Sequence, residues 1–132
     1  MEVFSFLADG IFLALQPVNL ALILIGVTVG LFIGAMPGLG SVNGVAILLP
    51  ITFLVPPASA IIFLAAIYYG AMYGGAISSV TLGIPGASTA VATTFDGRPL
   101  ALQGRASLAL VTAALASFVG GTVATVFFTL FA

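Results

Sequence analysis

Long apolar runs dominate the chain, and glycine, proline and small polar residues interrupt them at two places. Residues 10–95 carry no charged side chain, and residues 106–132 form a second uncharged stretch. A membrane-spanning helix needs about 20 predominantly apolar residues. The pattern therefore predicts an all-α fold of polytopic membrane helices, broken or re-entrant at two Pro-Gly loops.

The first segment, residues 1–16, is predicted to be an amphipathic lead-in helix. Its polar residues recur at steps that place them on one helical face, opposite Phe, Leu, Ile and Val. These polar residues are Glu2, Ser5, Asp9 and Gln16. Such a helix lies at the membrane interface or forms the wet first turns of a span.

Residues 17–57 are predicted to form a broken-helix hairpin. Pro17 suits the first turn of an apolar helix, because its missing N–H has no helical partner there. Pro37 and Gly38 then break that helix. The apolar segment 45–55 that follows is only about 16 Å long as a helix, which is half a membrane. We therefore expect the tip of the hairpin to lie within the bilayer.

Residues 58–95 are predicted to contain a span, residues 58–82, followed by the second Pro-Gly loop. Small residues occupy two faces of the span, which predicts close packing against protein on two sides. They are Gly70, Gly74 and Ser78 on one face, and Ala71, Gly75, Ser79 and Gly83 on the next. In the preceding helix, Gly26 and Gly30 are also predicted to pack against a neighbouring helix. The span carries Tyr68, Tyr69 and Tyr73, and a phenol at mid-depth needs a partner or a solute.

The residues Asp96-Gly97-Arg98-Pro99 are typical of a turn, and segment 96–105 is predicted to be a surface loop. It contains Arg98 and Arg105, which are the basic residues of the chain, so the positive-inside tendency predicts a cytoplasmic location. Residues 106–132 are predicted to form the last span. This span ends inside an apolar run, so we expect the chain to be the N-terminal part of a longer transporter, or to need partner chains.

The two Pro-Gly loops are the candidate functional site. Irregular backbone at membrane depth is tolerated where it lines a cavity or is buried by protein. Secondary transporters direct half-helix N-termini at anionic solutes and use unwound carbonyls for cations. We expect seven residues to bind a solute or a coupling ion: Gly38, Gly40, Ser41, Asn43, Gly86, Ser88 and Thr89. Pro37 and Pro85 would shape the loops. The alternative is that the four polar side chains only cap helices.

Composition argues against several other functions. The chain has 4% charged residues and contains no Cys or His. No metal site built from His or Cys is expected, and no acid–base or thiolate chemistry points to an enzyme. A phosphate-binding loop would need a Lys before Ser41, and the chain has none. Nucleic-acid binding would need a basic patch, which is also lacking.

Three blocks of sequence resemble one known family. They are GLFIGAMPGLGSVNGVAILLP at 30–50, YYGAMYGGAISSVTLGIPG at 68–86 and TTFDGRPLALQGRASLAL at 93–110. In this order and spacing they resemble the large membrane subunit of tripartite tricarboxylate transporters, the TctA type. The likeness runs from about Gly26 to Gly121. The chain departs from the family's usual residues at Gly83, Ala87 and Arg98.

The resemblance implies a secondary active carboxylate symporter in the bacterial inner membrane. It implies a small four-helix membrane subunit and a periplasmic solute-binding protein as partners, and an organic carboxylate as the solute. It implies no cofactor other than a coupling cation, Na⁺ or H⁺. The family's subunit is several times longer than this chain and has two related halves, of which this chain resembles the first part of the first.

Two other functions compete with transport. In one, the chain is a small structural or assembly membrane protein whose glycines only pack helices. The presence of two intramembrane helix breakers instead of one favours transport over this alternative. A channel is the second, and neither a ring of charged residues nor a filter sequence supports it.

Overall fold

The computed structural model describes residues 2–131, and within that range the chain is helical without strands. The α-helices are α1 (Glu2–Ala14), α2 (Pro17–Ala35), α3 (Gly40–Leu48), α4 (Pro57–Leu82), α5 (Val91–Leu102) and α6 (Ala106–Phe131). A 3₁₀ segment, Leu49–Leu54, extends α3, and another, Ser88–Ala90, leads into α5. Within the described range, α2, α4 and α6 are long and apolar enough to cross a membrane. The predicted all-α polytopic membrane fold is confirmed.

Helix α1 occupies most of the predicted lead-in segment and is joined to α2 through one amide. Asn19, in the first turns of α2, is buried and donates from Nδ2 to the carbonyl oxygen of Leu13 at 2.7 Å. The same carbonyl, near the C-terminal end of α1, also accepts the backbone N–H of Gln16 at 3.2 Å. Met1 and Ala132, the outer ends of the predicted first and last segments, lie outside the described residues, as does the side chain of Glu2.

Interlocking glycines hold α2 and α4 together. An ideal Cβ built on Gly26 would lie 2.8 Å from the Cβ of Ala66, and one on Gly30 would overlap the backbone of Ile67. The facing pairs are Gly26 with Ala66, Gly30 with Ile67, Gly34 with Ala71, Val27 with Gly70, and Leu31 with Gly74. Because the numbers rise together, the two helices run in the same direction. The predicted packing role of Gly26 and Gly30 is confirmed.

Helix α2 stops well before α4 does, and this creates the first re-entrant hairpin. Its last turn faces Gly74, where an ideal Cβ would lie 2.8 Å from the backbone nitrogen of Ala35. Gly74 lies about 12 Å before the C-terminal end of α4, since each helical residue rises by about 1.5 Å. The chain reverses through residues 36–39, and α3 and its 3₁₀ extension return along α4. The helix expected over 45–55 thus begins earlier, at Gly40.

A second hairpin enters from the opposite end of α4. Gly83, with a φ of +74°, ends α4 in a left-handed cap. The chain then reverses direction and runs alongside α4 as far as Gly75. The backbone nitrogen of Ala87 lies 3.5 Å from an ideal Cβ on Gly75. The Ser79 hydroxyl lies 2.8 Å from the carbonyl oxygen of Gly75 and 3.1 Å from that of Ala90, and so links α4 to the start of the returning arm. Helix α5 then runs back towards the end of α4.

The predicted surface turn at residues 96–99 is wrong, because these residues form the later part of α5. Gly97 is buried, and an ideal Cβ there would lie 2.6 Å from Cγ2 of Val80. The Arg98 guanidinium donates to the carbonyl oxygen of Thr81, and its stem covers Gly83. These tertiary contacts outweigh the local turn propensity, which is a weak determinant of structure. Within segment 96–105, the turn is confined to residues 103–105.

Helix α6 runs antiparallel to α4. The hydroxyl of Tyr73 donates to the carbonyl oxygen of Leu110 at 3.0 Å, while Tyr69 and Ser117, further along α6, border a common cavity. Ala109 is the buried residue of α6. Most of this helix is therefore exposed in the described part of the chain, unlike α4, whose small residues are enclosed as predicted.

We predict that Gly30→Ala lowers the thermal stability of the protein, whereas Gly120→Ala does not. One methyl group on Gly30 would overlap the Ile67 backbone, and overpacking of this kind costs about 1–3 kcal/mol. The same methyl on Gly120 meets nothing within 4 Å. Thermal unfolding of the purified protein in detergent measures both. Equal melting temperatures for parent and Gly30→Ala would show that α2 and α4 are not locked by their glycines.

Candidate functional site

The tips of the two hairpins meet beside α4 and border an open cavity of about 450 Å³. All seven predicted ligand residues line it: Gly38, Gly40, Ser41, Asn43, Gly86, Ser88 and Thr89. Pro85 lines it as well, together with Leu39, Val42, Tyr68, Met72 and Ala87. Pro37 does not line the cavity and occupies the exposed side of the first turn. The structure therefore brings together two loops that are 48 residues apart in the sequence.

Gly86 is the residue that lets the second tip approach the first hairpin. An ideal Cβ on Gly86 would overlap the carbonyl oxygen of Gly34 and lie 2.8 Å from the Cα of Gly75. It would also lie 2.9 Å from Oγ of Ser78. Three backbones therefore meet at Gly86, and no side chain fits between them.

The first tip depends on glycine for a different reason. Gly38 has a φ of +91° and Gly40 has a φ of +68°, both in the left-handed region that other residues rarely adopt. An ideal Cβ on Gly38 would meet nothing within 4 Å, so the requirement at this position is conformational. The two Pro-Gly pairs thus play unlike roles, a left-handed turn at Gly38 and a close approach at Gly86.

Each tip presents the start of a helix to the cavity. Helix α3 begins at Gly40, and the 3₁₀ turn that leads into α5 begins at Ser88. The N-cap residues are Leu39 and Ala87, and neither helix start has a side-chain cap. The first N–H groups of a helix lack internal partners and carry partial positive charge. The cavity is therefore bordered by two helix starts whose backbone N–H groups can donate hydrogen bonds. Neither helix start is capped by a hydroxyl or amide side chain.

Met72 of α4 lies between the two tips, and the sequence analysis did not single it out. Its Sδ atom lies 3.5 Å from Oγ of Ser41 and 3.7 Å from Oγ1 of Thr89. Ser41 is buried, whereas Thr89 is exposed. The sequence feature that could have identified Met72 is its position on α4, one helical turn after Tyr68. Tyr68 also lines the cavity.

Three other polar side chains line the cavity without a side-chain hydrogen bond to the described residues. Asn43 and Ser88 are exposed, and neither forms a side-chain hydrogen bond within residues 5–131. The Tyr68 ring packs edge-to-face on Tyr69, with centroids 6.0 Å apart, and its hydroxyl likewise has no partner there. Of the three tyrosines, Tyr73 has the protein partner that a phenol at mid-depth requires.

A second cavity of about 550 Å³ adjoins the first between α4, α5 and α6. It shares Tyr68, Met72 and Thr89 with the first cavity, and small residues of α6 line its far side. No charged residue lines either cavity within the described part of the chain. A charged solute in this space would therefore meet dipoles, hydroxyls and amides instead of a counter-ion.

The profile of the tripartite tricarboxylate transporter TctA family matches residues 20–132. The chain belongs to the TctA family. A similar curated protein, described as "Uncharacterized 52.8 kDa protein in TAR-I ttuC' 3'region" from Agrobacterium vitis, is 45% identical over 125 residues. The alignment covers 95% of this chain and 25% of that relative, so the chain spans about a quarter of its length. No solved structure matches this TctA-family chain.

We predict that Gly38→Ala reduces uptake by the complete TctA-family transporter, whereas Gly104→Ala does not. Both glycines have positive φ and open space around them, so a methyl group strains each backbone without a steric overlap. Forcing a non-glycine residue into this region costs on the order of 1–2 kcal/mol. Only Gly38 lies at the cavity, since Gly104 is in the turn before α6.

Initial rates of solute uptake, normalised to the amount of inserted protein, test this pair of variants. Because the strain is matched, a difference between them reports the position of the glycine and not a general loss of stability. Equal uptake by both variants would contradict a role for the Gly38 turn in shaping the site.

Proposed function

We propose that this chain is part of the membrane component of a secondary active symporter that takes up tricarboxylates or related organic carboxylates. The transporter would lie in the bacterial inner membrane and use a cation gradient. Its partners would be a periplasmic solute-binding protein and a small four-helix membrane subunit. The observation that carries the proposal is the meeting of two re-entrant tips, each with a helix start, at one uncharged polar cavity.

The cavity suits a carboxylate without a basic side chain. Each helix N-terminus is equivalent to about half a positive elementary charge, so two of them are comparable with one cation. Backbone N–H groups at Gly40 and Ser88 and the side chains of Asn43 and Ser88 supply donors for carboxylate oxygens. This combination stabilises a negative group at membrane depth, where an isolated charge is costly.

A coupling cation completes the charge balance. A tricarboxylate carries more negative charge than two helix N-termini offset. Arg98, which lies in α5 after the second tip, is engaged with the C-terminal end of α4. A co-transported Na⁺ or H⁺ would supply the missing positive charge in the same cavity or in a part of the transporter beyond this chain. This role gives the transporter an energetic reason to move solute and cation together.

The alternative, a structural or assembly protein with glycine-mediated packing, accounts for only part of the structure. It explains the interlocked glycines of α2 and α4. It does not explain why Asn43, Ser88 and the Tyr68 hydroxyl face a cavity without a hydrogen-bond partner in the described residues. Unpaired polar groups in a membrane protein are costly unless a solute or water occupies the space.

We predict that Asn43→Ala and Ser88→Ala, each made in the complete transporter, weaken solute binding by roughly ten-fold. One hydrogen bond to a charged partner is worth about 1.5–3 kcal/mol and a neutral one about 0.5–1.5, and about 1.4 kcal/mol is a factor of ten. The measurement is the half-saturating concentration for uptake of a tricarboxylate such as citrate.

Thr28→Ala is the matched control, because Thr28 lies on α2 away from the cavity and bonds its own helix at Leu24. It should leave the half-saturating concentration at the parental value. If Asn43→Ala and Ser88→Ala lower thermal stability while solute and cation affinities stay parental, both residues are structural and the packing alternative gains.

We predict that segment 96–105 faces the cytoplasm, because Arg98 and Arg105 are the basic residues of the chain. A cysteine introduced at Gln103 should react with a membrane-impermeant maleimide from the cytoplasmic side. A cysteine at Ala58, at the other end of α4, is the control and should react from the periplasmic side. The opposite labelling pattern would reverse the orientation of the whole chain.

A further inference from the structure

One sulfur atom contacts a hydroxyl from each re-entrant tip. Sδ of Met72 lies 3.5 Å from Oγ of Ser41, on the first hairpin, and 3.7 Å from Oγ1 of Thr89, on the second. The two hairpins approach α4 from opposite ends, so this thioether joins parts of the chain that are otherwise separate. All three residues line the same cavity.

The direction of these two contacts is fixed by chemistry. A thioether sulfur has no hydrogen, so it acts only as an acceptor, and each hydroxyl has a single hydrogen to donate. While these contacts are formed, the Ser41 and Thr89 hydroxyls direct their hydrogens at Met72. Each oxygen keeps its lone pairs, and any further contact made by either oxygen is as an acceptor. Acceptor-only oxygens repel a carboxylate and suit a hard cation, which prefers oxygen ligands.

The other two polar side chains of the tips are not committed in this way. Asn43 and Ser88 face the cavity without a side-chain hydrogen bond in the described residues. The Asn43 amide has two N–H donors, and the Ser88 hydroxyl is free to turn its hydrogen towards an anion. The four residues therefore divide into two acceptors and two donors.

We propose that Met72 is a positioning residue that makes Ser41 and Thr89 ligands of a sodium ion, and leaves Asn43 and Ser88 to hold the carboxylate. This inference rests on the proposed transport function and divides its site into two parts. Sodium fits better than a proton, because no Asp, Glu or His lines the cavity within the described range. A proton held by the protein in this cavity would need such a group to carry it.

The thioether also suits a site that must open. Sulfur is a weak hydrogen-bond acceptor on a flexible side chain, so its contacts with two hydroxyls break at little cost. Separation of the two tips would release both hydroxyls together, and their hydrogens would then compete with the cation. Binding of sodium and closure of the tips would in this way favour one another.

The test measures how sodium chloride, compared with choline chloride, raises the melting temperature of the complete purified transporter. A ligand that binds the folded state raises its stability in proportion to the logarithm of its concentration over its dissociation constant. Met72→Leu keeps the volume but removes the acceptor, and should shift the sodium midpoint upward by about three- to ten-fold, as the loss of a neutral hydrogen bond predicts. Met72→Gln restores an acceptor oxygen, so its sodium midpoint should lie closer to that of the parent. Met36→Leu, at an exposed methionine outside the cavity, is the control and should match the parent.

Ser41→Ala and Thr89→Ala provide a second route if Met72→Leu fails to fold, and each should weaken the sodium response in the same way. Asn43→Ala should leave the sodium response parental while raising the half-saturating citrate concentration at saturating sodium. A transporter with no sodium response, or one whose response survives Met72→Leu, Ser41→Ala and Thr89→Ala, overturns the proposal. If Asn43→Ala and Ser88→Ala still weaken citrate uptake in that case, the proposed transport site stands and only its division fails.

Discussion

Backbone groups at membrane depth need hydrogen-bond partners or shelter, and this requirement governs the whole chain. Two segments of irregular backbone lie at the level of Gly75, well inside the ends of α4. Helix α4 shelters one side of these segments, because it is built from small residues along two faces. One face admits α2, and the next admits the second tip at Gly86. Pro37, Gly38, Ser88 and Thr89 remain exposed in the described chain. The packing that the glycines permit is thus the condition for having loops at this depth.

The cavity follows from the unequal lengths of α2 and α4. If α2 continued to the end of α4, it would occupy the space into which the second tip climbs. It stops instead at Ala35, beside Gly74, and Gly86 packs directly on the exposed carbonyl of Gly34. Each hairpin therefore limits the other, and what remains between them is a polar space bordered by two helix starts. Packing and site are two consequences of the same early helix end.

The sequence predicted the elements of this arrangement more fully than their contacts. Proline, glycine and charge carry strong local signals, so the spans, the broken hairpin and the residues of both tips were found. The helix through Asp96–Pro99 was missed, because its cause lies in distant contacts with Val80 and Thr81. Met72 was missed because an apolar residue in an apolar span has no distinctive pattern. The Pro-Gly pairs look alike as sequence, yet Gly38 and Gly86 are required for different physical reasons.

The absence of charge from the cavity within the described chain would have a consequence for the proposed transport cycle. A buried ion pair loses much of its stability when one partner leaves, because the remaining charge is uncompensated at a cost of several kcal/mol. An arginine in this site would meet that cost each time the solute departed. Dipoles and neutral donors at Gly40, Asn43 and Ser88 have a smaller cost when the site is empty, since water can then bind to them in place of the solute. In the proposed function, the same choice would leave part of a carboxylate solute's charge unbalanced, so the proposed site would work best if the solute arrived with its own cation.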